Sequence, residues 1–326
     1  MYIKIYHGFG SRTNVLVFGH VFESKPHQFS EESSGFFNHL RSLLSLFMVK
    51  PMANVHLELD LFGNKYHTTS DENGWFKFQF DPPDHIEYGW QAVRVCGNAT
   101  SADDIDNIGE GKILIAQPTT HSIISDIDDT VMKSYSATIF RRLYELLGNH
   151  PTQRKLFHKT VEWYMQLAET QTQGLEQDAF FYVSSSEWNL YDYLKTVFHQ
   201  HGLPEGIFML NDLKQLRSFF KTGKTGHEGK LVRIKQLLET FPDQNFILIG
   251  DNTQQDPYIY HDIAQEFPNR ILSVMIRNKK KSNYTKVIQT LEQVAALGIP
   301  VLQFDDTKDA IDFSHKMGFT LQPVHN

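Results

Sequence analysis

From His121 onward, short unbroken apolar runs alternate with amphipathic stretches, and this alternation restricts the fold more than any other feature of the sequence. The runs are 122–125, 180–183, 207–210, 246–249, 271–276 and 301–304. Helical spacing fills the intervals at about 187–201, 229–241, 256–267 and 284–297. A strand that is apolar on both faces must be covered on both faces, and parallel neighbours need long crossovers. The pattern therefore predicts an α/β domain over 116–326, a parallel Rossmannoid sheet with helices on both sides. The long interval 131–178 carries apolar residues at helical spacing (Phe140, Leu143, Leu146, Leu147, then Val161, Tyr164, Leu167) and is expected to form a small helical cap.

The first 115 residues read differently. Segment 15–22 is strand-like, 53–59 and 75–80 alternate apolar and polar residues, and 90–96 gives another strand. A turn cluster at 68–74 ends in Asn73-Gly74, and Pro82-Pro83 closes the strand after it. The expectation is a small all-β sandwich over 1–115, with the boundary near 109–118. One insertion breaks the pattern: Phe36, Phe37, Leu40, Leu43, Leu44 and Phe47 fall at helical spacing. This amphipathic helix either packs on the sandwich as a connector or touches a membrane surface.

Ligands of an open parallel sheet bind outside the carboxyl ends of its strands. The residues there are Asp126-Ile127-Asp128-Asp129-Thr130, then Ser184-Ser185-Ser186, then Asn211-Asp212, then Gly250-Asp251 followed by Asp256. Asp126, Asp128, Asp251 and Asp256 would repel one another in a confined site. A hard divalent cation removes that conflict, and all-oxygen donors suit Mg²⁺. Residues i and i+2 of an extended chain point the same way, so Asp126 and Asp128 can act on one substrate from one side. One carboxylate can attack a phosphorus while the other moves the leaving-group proton. Phosphoryl transfer also needs donors and fixed positive charge on the phosphoryl oxygens. Ser184 and Lys230 suit those roles, with Lys224 a weaker competitor.

Taken together, D-x-D-x-T at Asp126–Thr130, Ser184, Lys230 and Gly250-Asp251 with Asp256 resemble, in order, the four motifs of the haloacid dehalogenase (HAD) superfamily. More closely, Ser125–Thr130, Tyr182–Ser186, the stretch from Phe246 to Tyr260 and Ile276-Arg277 resemble the phosphatidate phosphatase catalytic domain of the yeast actin-patch-protein type, over about residues 110–285. Gly19-His20-Val21 and Ser70 to Phe76 resemble the region upstream of that domain in bacterial members. The resemblance implies Mg²⁺-dependent hydrolysis of phosphatidate to diacylglycerol and phosphate. It implies Asp126 as nucleophile and Asp128 as general acid and base. Thr130, Ser184 and Lys230 would hold the phosphate, and Asp126, Asp251, Asp256 and the backbone carbonyl of Asp128 the metal. Asp256 could equally cap the helix that starts near Pro257. Glu187 stands where the family usually has Pro, Asn211 where it often has Arg, and Gly229 where it often has His. These departures touch substrate preference more than chemistry, so a soluble phosphomonoester remains an alternative substrate. A protein-binding role for the β-domain, whose partner is unknown, is the alternative of another class.

Charge enters here. The 31 Lys and Arg against 38 Asp and Glu give a net charge of −7, which speaks against general nucleic-acid binding. That average hides two basic runs: seven cations between Lys214 and Lys235, and Arg277, Lys279, Lys280 and Lys281. Either is a solvated face or an electropositive rim for an anionic headgroup or membrane, with Phe219-Phe220 available to enter lipid. The single cysteine, Cys96, cannot form an intrachain disulfide, has no base near it in sequence, and is expected to be buried. No apolar run approaches the ~20 residues that span a bilayer, and the N-terminus lacks a signal-like apolar region. The expectation is a cytoplasmic protein with possible peripheral membrane contact.

Overall fold

A computed structural model describes residues 1–25, 49–84, 86–97, 107–117, 121–128, 130–131, 157–169, 178–211 and 226–320. The expected amphipathic helix at 36–47 and the basic residues 214–224 lie outside the described residues. The chain divides into two compact units, one built on residues 1–117 together with 187–191, the other on the remaining described residues from 121.

The first unit contains β1 (Tyr2–Ile5), β2 (Gly8–Gly10), β3 (Val15–Phe22), β4 (His56–Leu61), β5 (Asn64–Thr69), β6 (Trp75–Phe80), β7 (Gly89–Gly97) and β8 (Ile108–Ile115). They hydrogen-bond as one eight-stranded sheet, not as two. The order is β1-β3-β2-β8-β7-β4-β5, with β6 on the other edge of β3. Pairing is antiparallel except between β2 and β8. Tyr66 of β5 stacks on Phe80 of β6 with ring centroids 3.8 Å apart, so the sheet curls until its ends meet. Alternate residues then point to one shared core, among them Ile3, Val17, Leu59, Phe76, Val95 and Ile113. At roughly 1.5–3 kcal/mol per fully buried large apolar side chain, this inward set is what opposes the entropy of ordering the sheet.

Two strand expectations shift. β4 begins at His56 rather than 53, because Asn54 takes a positive φ of 58° and ends the extended run. β5 is a strand although its side chains are mostly exposed. It forms because Phe62 (φ 52°) and Gly63 (φ 81°) make a two-residue turn whose twist returns the chain antiparallel onto β4. The expectation of a buried Cys96 is also corrected: the residue is exposed. β7 buries Val93 and Val95, so Cys96 falls in the outward set with Ala92 and Arg94.

The second unit holds β9 (Ser122–Ser125), β10 (Phe180–Glu187), β11 (Ile207–Asn211), β12 (Phe246–Asp251), β13 (Ile271–Arg277) and β14 (Val301–Phe304). Its helices are α1 (Thr160–Ala168), α2 (Tyr191–Gln200), α3 (Gly226–Thr240), α4 (Asp256–Glu266), α5 (Tyr284–Ala296) and α6 (Thr307–Lys316). The sheet order is β11-β10-β9-β12-β13-β14. The strands from β10 through β14 in this order pair in parallel. The first strand is central; the chain builds out to β11, then returns to β12 on the other side. The reversal between β9 and β12 opens a crevice at the carboxyl edge. Within 131–178, α1 packs into this unit: Trp163 Nε1 donates to Ser314 Oγ of α6, and the Tyr164 and Ser125 hydroxyls are 2.7 Å apart. The rest of that interval, apart from 131, 157–159, 169 and 178, is outside the described residues.

Candidate active site

Strand pairing sets the site. In register, Ser125 of β9 lies opposite Tyr182 of β10 and Ile249 of β12, and Asp251 opposite Arg277 of β13. The next residues of each strand therefore leave the sheet at one edge. Beyond β9, the Asp126 N–H still donates to the Ile249 carbonyl at 2.9 Å, which holds Asp126 beside β12. Asp126, Thr130, Ser184, Asp251 and Asp256 are fully buried, and Asp128 and Lys230 nearly so.

Lys230, in the first turns of α3, binds two acids. Its Nζ lies 2.7 Å from Asp126 Oδ1 and 2.5 Å from Asp256 Oδ1. The Thr130 hydroxyl donates to Asp126 Oδ2 at 3.3 Å. Asp256 Oδ2 accepts from the Asp251 backbone N–H at 3.3 Å. Asp256 opens α4, where the helix N-terminus favours a carboxylate, and Pro257 follows it. Gly250 makes this packing possible: a Cβ there would stand 2.6 Å from Asp256 Oδ2 and 2.9 Å from the Tyr260 ring. Asp128 turns to the neighbouring strand. Its Oδ2 accepts from Ser186 Oγ at 3.2 Å and Ser184 Oγ at 3.4 Å.

The acid triad Asp126, Asp251 and Asp256 brings one oxygen of each side chain within 4.8 Å of the others. Three carboxylates against one ammonium leave the buried cluster short of positive charge. Burial, and then the neighbouring acids, push Asp126 well above the usual carboxylate range, although Lys230 pulls the other way. Burial and the Asp256 charge push Asp251 up to about 7. Burial by itself would lower the Lys230 ammonium, but Asp126 and Asp256 more than offset that and raise it. Asp251 Oδ1 accepts from the Thr253 N–H, while Asp251 Oδ2 is buried with no hydrogen-bond partner among the described residues. A buried orphan oxygen among close carboxylates, with oxygen donors alone, fits a hard divalent cation such as Mg²⁺. The triad could hold it, with the Asp128 backbone carbonyl, while Asp128 Oδ2 faces the serines.

All seven residues singled out from sequence, Asp126, Asp128, Thr130, Ser184, Lys230, Asp251 and Asp256, thus share one sheet edge. Lys224 lies outside the described residues. Four others were given no role in the site from sequence. Ser186 shares the Asp128 contact with Ser184, and its i+2 spacing was the available signal. Arg233 donates to the Ser184 carbonyl at 3.1 Å, one helical turn from Lys230. Asn252 gave no periodic signal, and Arg277, expected with Lys279 to Lys281 in an exposed basic run, is corrected to a buried residue. Arg277 is a buried guanidinium that donates from Nε to the Thr130 carbonyl (3.1 Å) and from Nη2 to Thr160 Oγ1 and Thr307 Oγ1. Phe157 and Phe304 flank it at 4.2 and 4.7 Å. It anchors the Thr130 end of the loop that carries Asp126 and Asp128.

Residues 121–278 match the family described as "Phosphatidate phosphatase APP1, catalytic domain". The chain is 32% identical over 157 residues to the phosphatidate phosphatase APP1 of Saccharomyces cerevisiae, a stretch covering 48% of this chain and 25% of that protein. It is 25% identical over 182 residues to an uncharacterized protein of Schizosaccharomyces pombe, covering 55% of this chain and 29% of that one. The chain therefore spans between a quarter and a third of the length of these relatives. A solved carbohydrate acetylesterase from Xanthomonas citri aligns over 94% of this chain and 70% of its own at 10% identity, with a TM-score of 0.33.

Proposed function

We propose that this chain, whose residues 121–278 match the family of the phosphatidate phosphatase APP1 catalytic domain, is a Mg²⁺-dependent phosphatidate phosphatase. The observation that carries this reading is the division of labour at one buried edge. Asp126 is held by Lys230 and Thr130, while Asp128 is held apart from them by Ser184 and Ser186.

Asp126 Oδ attacks the phosphorus in line, and the bond from phosphorus to the diacylglycerol oxygen breaks. Asp128 delivers the proton to that oxygen, and diacylglycerol leaves. The phosphoryl group then sits on Asp126. Asp128, now ionised, takes a proton from a water that attacks the phosphorus, releasing phosphate and restoring Asp126. Thr130, Ser184 and Lys230 supply donors to the phosphoryl oxygens and keep Asp126 aligned. Asp126, Asp251 and Asp256 would hold Mg²⁺, which would supply positive charge that lets a phosphate approach the carboxylates.

The test is phosphate release from phosphatidate vesicles beside sugar phosphates and nucleotides, with Mg²⁺ and with EDTA. Release from phosphatidate with Mg²⁺ alone is the expected result. Activity only on soluble esters would move the substrate and keep the chemistry. No release from any ester, with a protein partner bound to residues 1–115, would transfer the function to the β-domain.

The metal has its own test. With Asp251 raised to about 7, the folded protein holds that proton more tightly than the unfolded chain, whose carboxyl titrates near 4. This contribution to stability is fully present below about pH 4 and is lost as pH rises through about 7. A bound dication favours the ionised acid and opposes the loss. Mg²⁺ should therefore raise the melting temperature more at pH 8 than at pH 5. An equal shift at both would remove Asp251 from the ligand set.

A further inference from the structure

We propose that the loop after β13, residues 278–283, seats on the surface of an anionic bilayer, and that Asn252 fixes this surface to the metal-binding strand end. The proposal rests on the phosphatidate reading above, whose substrate is itself an anionic lipid, and adds where the bilayer is met.

The loop leaves the sheet beside the site, since Arg277 lies opposite Asp251 in the β12–β13 ladder. It carries Lys279, Lys280 and Lys281, all exposed, and no acid. Lys279 lies 5.1 Å over the Phe157 ring. Among the described residues Lys280 and Lys281 form no ion pair with an acid, and the two acids of the β14–α6 turn are committed elsewhere. Asp305 accepts from Tyr284, and Asp306 caps α6.

The loop is not a free tail. Asn252, the residue after Asp251, is fully buried and commits both its side-chain polar atoms and its carbonyl to the loop, while its N–H donates to the Arg277 carbonyl. Its Oδ1 accepts from the backbone N–H of Lys279 (2.7 Å) and Lys280 (2.8 Å). Its Nδ2 donates to the Lys280 carbonyl and to Asn278 Oδ1. Its own carbonyl accepts from Asn283 Nδ2 at 2.6 Å. A surface loop needs none of this to stay soluble. Such pinning holds the backbone that bears Lys280 and Lys281 at a set place beside the strand end of Asp251. Clustered lysines near an anionic leaflet attract it, and the attraction weakens with salt. The net charge of −7 speaks against general nucleic-acid binding, which favours a local lipid contact over nucleic acid.

The full chain is sedimented with neutral phosphatidylcholine vesicles and with vesicles that also contain phosphatidylserine. Lys280→Ala/Lys281→Ala should bind the anionic vesicles roughly thirtyfold more weakly than the parent, equivalent to about 2 kcal/mol. Lys77→Ala/Lys316→Ala removes the same charge elsewhere and should bind as the parent does. Phosphate release from a dispersed short-chain phosphatidate should be unchanged in both variants. Equal binding of the parent to neutral and anionic vesicles, or parent-like binding by the Lys280/Lys281 variant, overturns the proposal. Loss of binding to DNA rather than to vesicles would also overturn it. If no variant and no parent hydrolyses the dispersed substrate, the catalytic reading fails, and sedimentation still decides the surface.

Discussion

Asp126→Asn should leave a folded protein that releases phosphate from phosphatidate at least about a thousandfold more slowly than the parent, because the amide cannot attack phosphorus. The exchange preserves shape and one oxygen. Lys230 keeps its bond to Asp256, and the side chain at 126 keeps an acceptor for the ammonium. Burial and the neighbouring acids also hold the Asp126 carboxyl well above the usual carboxylate range. Replacing it with a neutral group relieves that conflict, so the metal-free variant should melt no lower than the parent. Loss of turnover without loss of stability is the signature of a reacting group. Full Mg²⁺-dependent activity in Asp126→Asn would remove Asp126 from the nucleophile's role.

Lys230→Met should act in the opposite way, on stability as well as on turnover. The ammonium is buried and bridges Asp126 and Asp256. Breaking a buried pair by removing one partner costs about 3–5 kcal/mol, since it strands a charge without compensation. Measured by denaturation in EDTA, the variant should lose about that much at neutral pH. The deficit should shrink on acidification. Without Lys230, the charge that lowers the Asp126 titration is gone, so its carboxyl moves further up. The folded variant then holds the proton more tightly, and its stability is recovered as pH falls through the raised value and lost as pH rises. A deficit that does not change between pH 5 and pH 8 would mean that lost packing of the lysine stem, not stranded charge, is responsible. Phosphate release should fall as well, because the same ammonium is placed to meet the phosphoryl oxygens.

The two halves of the chain were legible to different degrees. The parallel sheet could be read because strands such as 246–249 are covered on both faces, and that demands an unbroken apolar run of a length no helix uses. The β-domain was less legible. β1, β2 and β8 gave no clear alternation, and β5 is mostly polar. They are strands because neighbours supply the hydrogen bonds, which no local pattern records. For the same reason the expectation of two stacked sheets became one curled sheet: alternation reports which face is buried and says nothing about which strand pairs with which.

What the sequence determined by itself was the set of chemical groups and their order. Asp126 and Asp128 share a strand end by their i+2 spacing, and Ser184, Lys230, Asp251 and Asp256 follow at ends of later elements, so local geometry already delivers each group to the carboxyl edge. What only the tertiary structure decided is which groups meet. Lys230 reaches Asp126 across 104 residues, and Arg277 reaches the Thr130 carbonyl across 147. Ser186 joins Ser184 on Asp128, and Asn252 anchors the basic loop. Contacts of this kind depend on strand order and register. These are fixed by the packing of the whole sheet, while the pattern along the chain reports only what each residue does to its near neighbours.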